Sequence, residues 1–381
     1  MTLKFEQRSQ NTRIAIFVPS LAIGGAQRVA LNLAHALADQ GFNVDLVLQE
    51  AVGAFLRQVE ARVRIVNLES PGIVGRFYGL KQYFQREQPT VLLSILDNIN
   101  VASFAKHLSG VSTRVIVSLH INLPEPVEDL KTWIKPLLIR YSYRLADGIV
   151  AVSHGVAENI ASITGIALQQ IHVIPNPITM PSLESNKVSH PWLEPGQLPV
   201  VLGAGRLVKD KDFATLIRAF AIVRQQLPCR LMILGDGEQR PELEALIHQL
   251  GIDACVALPG FVENPYPYMA GASVFVLSSL IEAFGNVIVE SMAVGTPVVA
   301  TNCGSGLTEI LEAGKYGRLV AIANPNELAE GILATLRDPL NAELLKQRAK
   351  AFAIEQIVHQ YVQVLDVSAQ QRAKKQLVDY R

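Results

Sequence analysis

Six prolines fall between Pro175 and Pro199, at positions 175, 177, 181, 191, 195 and 199, with Ser, Asn and Lys among them. Such a composition reads as a linker, not as part of a packed element. On each side of it the chain repeats one pattern: a short aliphatic run, a glycine-containing turn, an amphipathic helical stretch and another aliphatic run. Short apolar runs bounded by turn residues suit strands buried on both faces, and strand–helix–strand units build parallel sheets with right-handed crossovers. The fold class expected is therefore α/β, with two Rossmann-like doubly wound parallel-sheet domains facing a cleft. A boundary near residue 185 divides them into 1–185 and 186–360. The length of 381 residues, too great for one ordinary core, agrees with two.

In the first half, strands are expected at Arg13 to Pro19, Val44 to Leu48, Val63 to Val66, Val91 to Ile95, Arg114 to Leu119 and Gly148 to Ser153. After the loop Ser20 to Arg28 an amphipathic helix to Gln40 sets Val29, Leu33, Ala36 and Leu37 on one face, and Gly41 stops it. In the second half, strands fall at Pro199 to Gly205, Arg230 to Leu234, Val256 to Val262 and Ala272 to Leu277, with helices over Phe213 to Gln226 and near Glu242 to Leu250.

The bulk numbers exclude several classes. Lys plus Arg equals Asp plus Glu at 34 each, so no overall charge favours nucleic acid. Cys229, Cys255 and Cys303 are scattered, without metal-ligand or redox spacing, which suits a reduced cytoplasmic protein. The first ten residues are polar, and no run of about 18 apolar residues is present, so a cytoplasmic protein, at most peripheral to a membrane, is expected. The dinucleotide fingerprint G-x-G-x-x-G is absent from both halves, which argues against an oxidoreductase.

Chemistry concentrates in Ser278 to Pro297, S-S-L-I-E-A-F-G-N-V-I-V-E-S-M-A-V-G-T-P. It follows the strand at Ala272 to Leu277 and leads through Gly285 into a helix, with Asn286 as the expected N-cap. Glu282 then lies in the loop and Glu290 just past the first turn. Eight residues of unbroken helix would separate the two acids by about 80°; the loop lets both face one crevice. A helix start presents unpaired N–H groups and the positive end of a dipole, which suits an anion. Upstream, Gly205-Arg206-x4-Lys211 places two cations in the loop after a strand, where a diphosphate would need its charge balanced.

Three further features carry a functional and an ordinary reading side by side. Gly24-Gly25 is either a tight turn or a place where backbone approaches a ligand. His120 ends a strand at the edge where open α/β sheets bind ligands, or is a histidine bonded to loop backbone; Asp97 and Asn98 share that topological position. Lys131 to Asp147 carries Lys131, Lys135, Arg140 and Arg144 with Trp133, either a solvated helix face or one for an anionic membrane surface, and Pro136 argues against one continuous helix.

Taken together these segments resemble the large GT4 family of retaining glycosyltransferases with the two-domain GT-B fold. Glu282-x7-Glu290, Gly24-Gly25-Ala26-Gln27-Arg28, Ala146 to Ser153, Ile174-Pro175-Asn176-Pro177 and Gly205-Arg206-x4-Lys211 match its motifs, and the likeness runs from Arg13 to about Val364. The resemblance implies that Gly205, Arg206 and Lys211 hold the donor diphosphate and Glu290 the ribose. Glu282 would contact the transferred sugar, and the backbone of Phe284, Gly285 and Asn286 would cradle sugar and phosphate. Val262, in the Gly260-Phe261-Val262 loop, would hold the base. Gly24 and Gly25 would line the donor–acceptor boundary and His120 would lie near the sugar. Glu282, His120, Arg206 and Lys211 form the implied catalytic set.

No cofactor and no metal is implied, because Arg, Lys and helix N–H groups supply what Mg²⁺ does elsewhere. The implied partners are a nucleotide-sugar donor, UDP-linked in preference, and a saccharide or lipid-linked saccharide acceptor in surface glycan synthesis. The last helix, about 360–381, would cross back to the first domain. One departure is Ser305-Gly306-Leu307-Thr308-Glu309, where relatives often carry G-P-x-E. Two rivals remain: a sugar-nucleotide epimerase on a similar scaffold, and an inactive scaffold subunit, against which the presence of Arg206, Lys211, Glu282 and Glu290 argues.

Overall fold

The computed structural model describes residues 12–97, 100–123, 134–181 and 190–365. The chain divides into two compact units. One runs to Pro177 and resumes at Ile354; the other is Ile178–Ala353.

The first unit holds a seven-stranded sheet: β1 (Arg13–Val18), β2 (Asn43–Leu48), β3 (Val63–Asn67), β4 (Val91–Ile95), β5 (Arg114–Leu119), β6 (Gly148–Ala151) and β7 (Ile171–Val173). Their order is β3-β2-β1-β4-β5-β6-β7, all parallel, with Ile14 of β1 in register with both Val44 and Val91. Residues 14–18 and 91–95 are buried without alternation, because both faces of the sheet are covered. The helices are α1 (Gly25–Asp39), α2 (Gly72–Glu87), α3 (Val101–Ser109), α4 (Ile134–Arg144) and α5 (His154–Thr164). On α1, Val29, Leu33 and Leu37 are buried as their spacing requires. Ser153 leaves β6 to cap α5, its Oγ accepting from Val156 N, so the strand stops at Ala151.

Helix α4 runs unbroken through position 136. Asn98, Lys131 and Trp133, and the side chain of Lys135, lie outside the described residues, as does 366–381.

The second unit holds β8 (Val200–Ala204), β9 (Arg230–Leu234), β10 (Val256–Gly260), β11 (Val274–Leu277), β12 (Val298–Thr301) and β13 (Arg318–Val320). Their order is β10-β9-β8-β11-β12-β13, again parallel. Its helices are α6 (Phe213–Gln226), α7 (Arg240–Gln249), α8 (Tyr266–Gly271), α9 (Asn286–Ala293), α10 (Ser305–Ile310), α11 (Pro325–Arg337) and α12 (Ala342–Lys350). Helix α13 (Ile354–Leu365) belongs to the first unit, where Ile357, Val358, Tyr361 and Leu365 join the core. Arg114 Nη1 also donates to the carbonyl of Leu365 at 2.8 Å.

Candidate active site

In the second sheet the strand order reverses between β8 and β11. Loops leaving these two neighbours turn to opposite sides, which opens a crevice at their carboxyl ends. Arg206 and Lys211 follow β8; Glu282 and Glu290 follow β11. The loops are bonded to each other: Leu280 N donates to Asp210 O at 2.8 Å and Ser278 Oγ to Lys211 O at 2.8 Å. Lys211 Nζ pairs with Glu282 Oε1, and Ser279 Oγ donates to the same oxygen at 3.0 Å. The strand end beneath is held by Thr301 Oγ1, which donates to Ser279 O at 2.6 Å. Lys211 is set by the residue after it, since Asp212 caps α6 through a bond from Thr215 N. Arg206, by contrast, is exposed, and its guanidinium has no hydrogen bond or ion pair among the described residues.

Asn286 is not the cap of α9 but its first residue. Gly285 takes the cap position in the left-handed region at φ 96°, where a side chain is strained and where a Cβ would overlap Leu307 Cδ2. No acidic side chain occupies the first turn of α9, so the positive end of its dipole is not offset there; Glu290 is one turn further in and half-buried. The 282–284 segment is pressed from below by α10. A Cβ on Gly304 would overlap the carbonyl oxygen of Glu282, and one on Gly306 would crowd Ala283 O and Phe284 Cα. Phe284 itself is buried. At the far side of the sheet, Gly260 ends β10 and Val262 is half-exposed beside the exposed Phe261.

In the first unit the carboxyl ends of β1, β4 and β5 carry the other expected residues. Gly24 caps α1 without a side-chain bond, and Gly25 is exposed at its start. His120 is buried, with Nε2 at 3.0 Å from Ser118 Oγ, which lies 3.3 Å from the Tyr361 hydroxyl on α13. Burial pushes the His120 pKa down to about 4, opposed by the Asn176 side chain, so the imidazole is neutral at physiological pH. Asp97 is wholly buried. Its carboxylate accepts from Arg76 Nη1 at 3.0 Å and from Ala102 N at 3.1 Å, while Arg76 Nε donates to Gln49 at 2.7 Å. Arg76 thus ties the ends of β2 and β4 together on either side of β1.

Residues 23–180 match the profile of Glycosyltransferase Family 4 and residues 198–338 that of Glycosyl transferases group 1. The chain belongs to this glycosyltransferase family. One similar protein is the N-acetylgalactosamine-N,N'-diacetylbacillosaminyl-diphospho-undecaprenol 4-alpha-N-acetylgalactosaminyltransferase of Campylobacter jejuni, 29% identical, with 90% of this chain and 94% of that one covered. Another is the lipopolysaccharide core biosynthesis glycosyltransferase LpsE of Rhizobium meliloti, 29% identical over 90% and 96% of the two chains. Among solved structures, Anabaena Alr3699/HepE in complex with UDP aligns with TM-score 0.74 at 21% identity, over 93% of this chain and 99% of that one. A glycosyltransferase from Rickettsia africae aligns with TM-score 0.77 at 15% identity, over 93% and 97%. The fold of this family 4 glycosyltransferase is GT-B.

Its second unit brings together Arg206, Lys211, Glu282, Gly285, Asn286 and Glu290 at one sheet edge, with Val262 two strands away. Its first unit places Gly24, Gly25 and His120 at the edge of the other sheet. The sequence reading did not assign Ser279, Thr301 or Tyr361. For Ser279 a signal existed, a hydroxyl pair directly after an apolar strand; for Tyr361, some 240 residues from its partner Ser118, none did.

Proposed function

We propose that this glycosyltransferase moves a hexosyl or N-acetylhexosaminyl group, with retention, from a nucleotide sugar to a hydroxyl of a lipid-linked saccharide. The observation that carries the reading is the Lys211–Glu282 pair, held between the β8 and β11 loops beside the start of α9, where the glycine cap carries no side-chain bond. In this reading Lys211 and the amides at the start of α9 offset the charge that gathers on the leaving diphosphate. Arg206 is assigned to the same diphosphate, Gly205 to its close approach, Glu290 to the ribose, Val262 to the base and Glu282 to the sugar hydroxyls. Phe284, Gly285 and Asn286 cradle sugar and phosphate. In the first unit Gly24, Gly25 and His120 are assigned to the transferred sugar and its surroundings.

Retention follows if the acceptor hydroxyl attacks the face from which the phosphate departs. The bond from the anomeric carbon to the leaving oxygen breaks, the bond to the acceptor oxygen forms, and the departing phosphate takes the acceptor's proton. Glu282, paired with Lys211, orients the sugar in this scheme and forms no covalent bond.

The relative named as a diphospho-undecaprenol N-acetylgalactosaminyltransferase and the one named for lipopolysaccharide core biosynthesis support a lipid-linked acceptor, and the UDP complex of HepE supports UDP as the nucleotide. A peripheral contact with an anionic membrane is supported by α4, where Leu137, Leu138 and Tyr141 are exposed beside Arg140 and Arg144. No helix among the described residues is long and apolar enough to cross a bilayer.

The test is a thermal-shift screen with UDP, GDP and ADP and their sugars, followed by transfer onto undecaprenyl-diphosphate saccharides with the product anomer read by NMR. Stabilisation by UDP and an axial-to-axial or equatorial-to-equatorial outcome support the reading. Inversion, epimer formation without transfer, or no nucleotide binding would overturn it.

A further inference from the structure

Resting on the donor-site reading above, we infer that Arg348 and Phe352 are positioning residues for the donor loop at Glu282 to Gly285. Neither is near that loop in sequence. Arg348 lies on α12 and turns its guanidinium toward the end of α10. Its Nε donates to Ile310 O at 2.9 Å and its Nη2 to Glu309 O at 2.6 Å, and its Nη1 lies 3.1 Å from Glu312 Oε1. A helix ends in carbonyls without intrahelical partners, and one planar guanidinium satisfies two of them while complementing the negative end of the dipole.

The other end of α10 is the brace beneath the donor loop, since Gly304 and Gly306 meet the backbone of Glu282, Ala283 and Phe284 too closely for any side chain. A helix this short is in effect a rigid rod: fixing its far end fixes the height at which it supports Glu282.

A second contact leaves the same guanidinium. Its Cζ stands 4.9 Å from the Phe352 ring centroid, and Phe352 meets Phe284 edge-on at 5.8 Å with an interplanar angle of 72°. Phe352 is itself anchored through its carbonyl, which accepts from Ile178 N at 2.9 Å. Arg348 therefore grips the 282–285 segment twice, through α10 under Glu282 and through Phe352 against Phe284. Helix α12 also backs α9, where Gly295, at φ 87°, allows Ala342 a close approach. One helix that touches no proposed ligand atom thus supports both helices flanking the diphosphate site.

A residue that only maintains the fold would change the fraction of folded enzyme, hence apparent kcat and melting temperature, and leave the donor KM alone. A positioning residue moves the donor KM of the folded fraction and not the acceptor KM. Arg348→Lys keeps the charge but cannot bridge two carbonyls, and Phe352→Leu keeps the bulk but removes the ring edge. Each is expected to raise the donor KM about three- to tenfold with the acceptor KM at the wild-type value. The double variant should raise it by less than the product of the two, because both act on one loop. Either variant suffices if the other folds poorly.

Wild-type donor KM in both variants, or equal changes in donor and acceptor KM, would overturn the inference. Lys211→Ala, measured alongside, separates this from failure of the site itself. Lost donor binding in Lys211→Ala with unchanged Arg348→Lys and Phe352→Leu overturns only the positioning role. Unchanged binding in Lys211→Ala overturns the site and the positioning role together.

Discussion

At the scale of single residues, the Lys211–Glu282 pair is the point where charge, hydrogen bonding and topology coincide. Truncating either member leaves the other half-buried without its counter-charge, and removes a group proposed to meet the sugar or the leaving phosphate. Lys211→Ala and Glu282→Ala are each expected to cut kcat/KM by about tenfold or more, equivalent to about 1.4 kcal/mol of transition-state stabilisation, with the circular dichroism spectrum unchanged. Near-normal rates in both would remove these residues from the site. His120 makes a different residue-scale prediction, through pH. Its folded pKa, near 4, lies below the ordinary 6.5, so the unfolded chain binds the proton more readily between these values. Its stabilising contribution is complete above pH 6.5 and is lost as pH falls toward 4, at up to about 1.4 kcal/mol per pH unit. His35, depressed by burial, acts in the same direction, whereas Asp97, raised by burial, acts in the opposite one. The measurement is therefore a difference: urea unfolding of wild type and His120→Gln at several pH values, with the variant losing less stability on acidification.

At the scale of elements, short pieces of backbone are positioned by neighbours that approach too closely for a side chain. Gly304→Ala should push the Glu282 carbonyl away from α10, and turnover per folded molecule should fall by about tenfold or more, since small misplacements at a reacting centre are costly. A substitution that leaves turnover unchanged would mean that the α10 brace is slack. In the first unit, the bonds from Arg76 on α2 to Gln49 and Asp97 join the loops after β2 and β4. Arg76→Met strands a buried carboxylate and is expected to cost about 3–5 kcal/mol in urea unfolding, with Arg76→Met/Asp97→Asn recovering most of it. Much at this scale was legible in sequence. The bounds expected for β4, β5, β9 and α6 are those observed: short aliphatic runs buried on both faces leave few alternatives for the strands, and the Asp212 cap and Pro228 delimit the helix. The cap of α9 was not legible: Asn286 has the better intrinsic cap propensity, but Leu307 and the left-handed backbone leave room only for Gly285. The short edge strands β7 and β13, of three residues each, are too brief to show a period, and Phe352 meets Phe284 only through tertiary packing.

For the whole molecule, two parallel sheets each carry a hydrophobic core: one includes Ile14, Leu93 and Tyr361, the other Val201, Leu231 and Val274. The chain passes between the units at Pro177–Ile178 and Ala353–Ile354, and each core is expected to open as its own cooperative unit. A ligand that binds only one folded unit stabilises that unit, and at a concentration one hundred times Kd the gain is about 2.7 kcal/mol. The proposed diphosphate and ribose contacts all lie in the second unit, so UDP without a sugar should slow amide exchange of β8, β9 and β11 by about a hundredfold. The same treatment should leave β1, β4 and β5 at their unliganded rates. Equal protection of both sheets would show that the two cores open together, and the assignment of independent units would fall; protection confined to β1, β4 and β5 would move the nucleotide to the first unit and take Arg206, Lys211 and Glu290 out of the donor site.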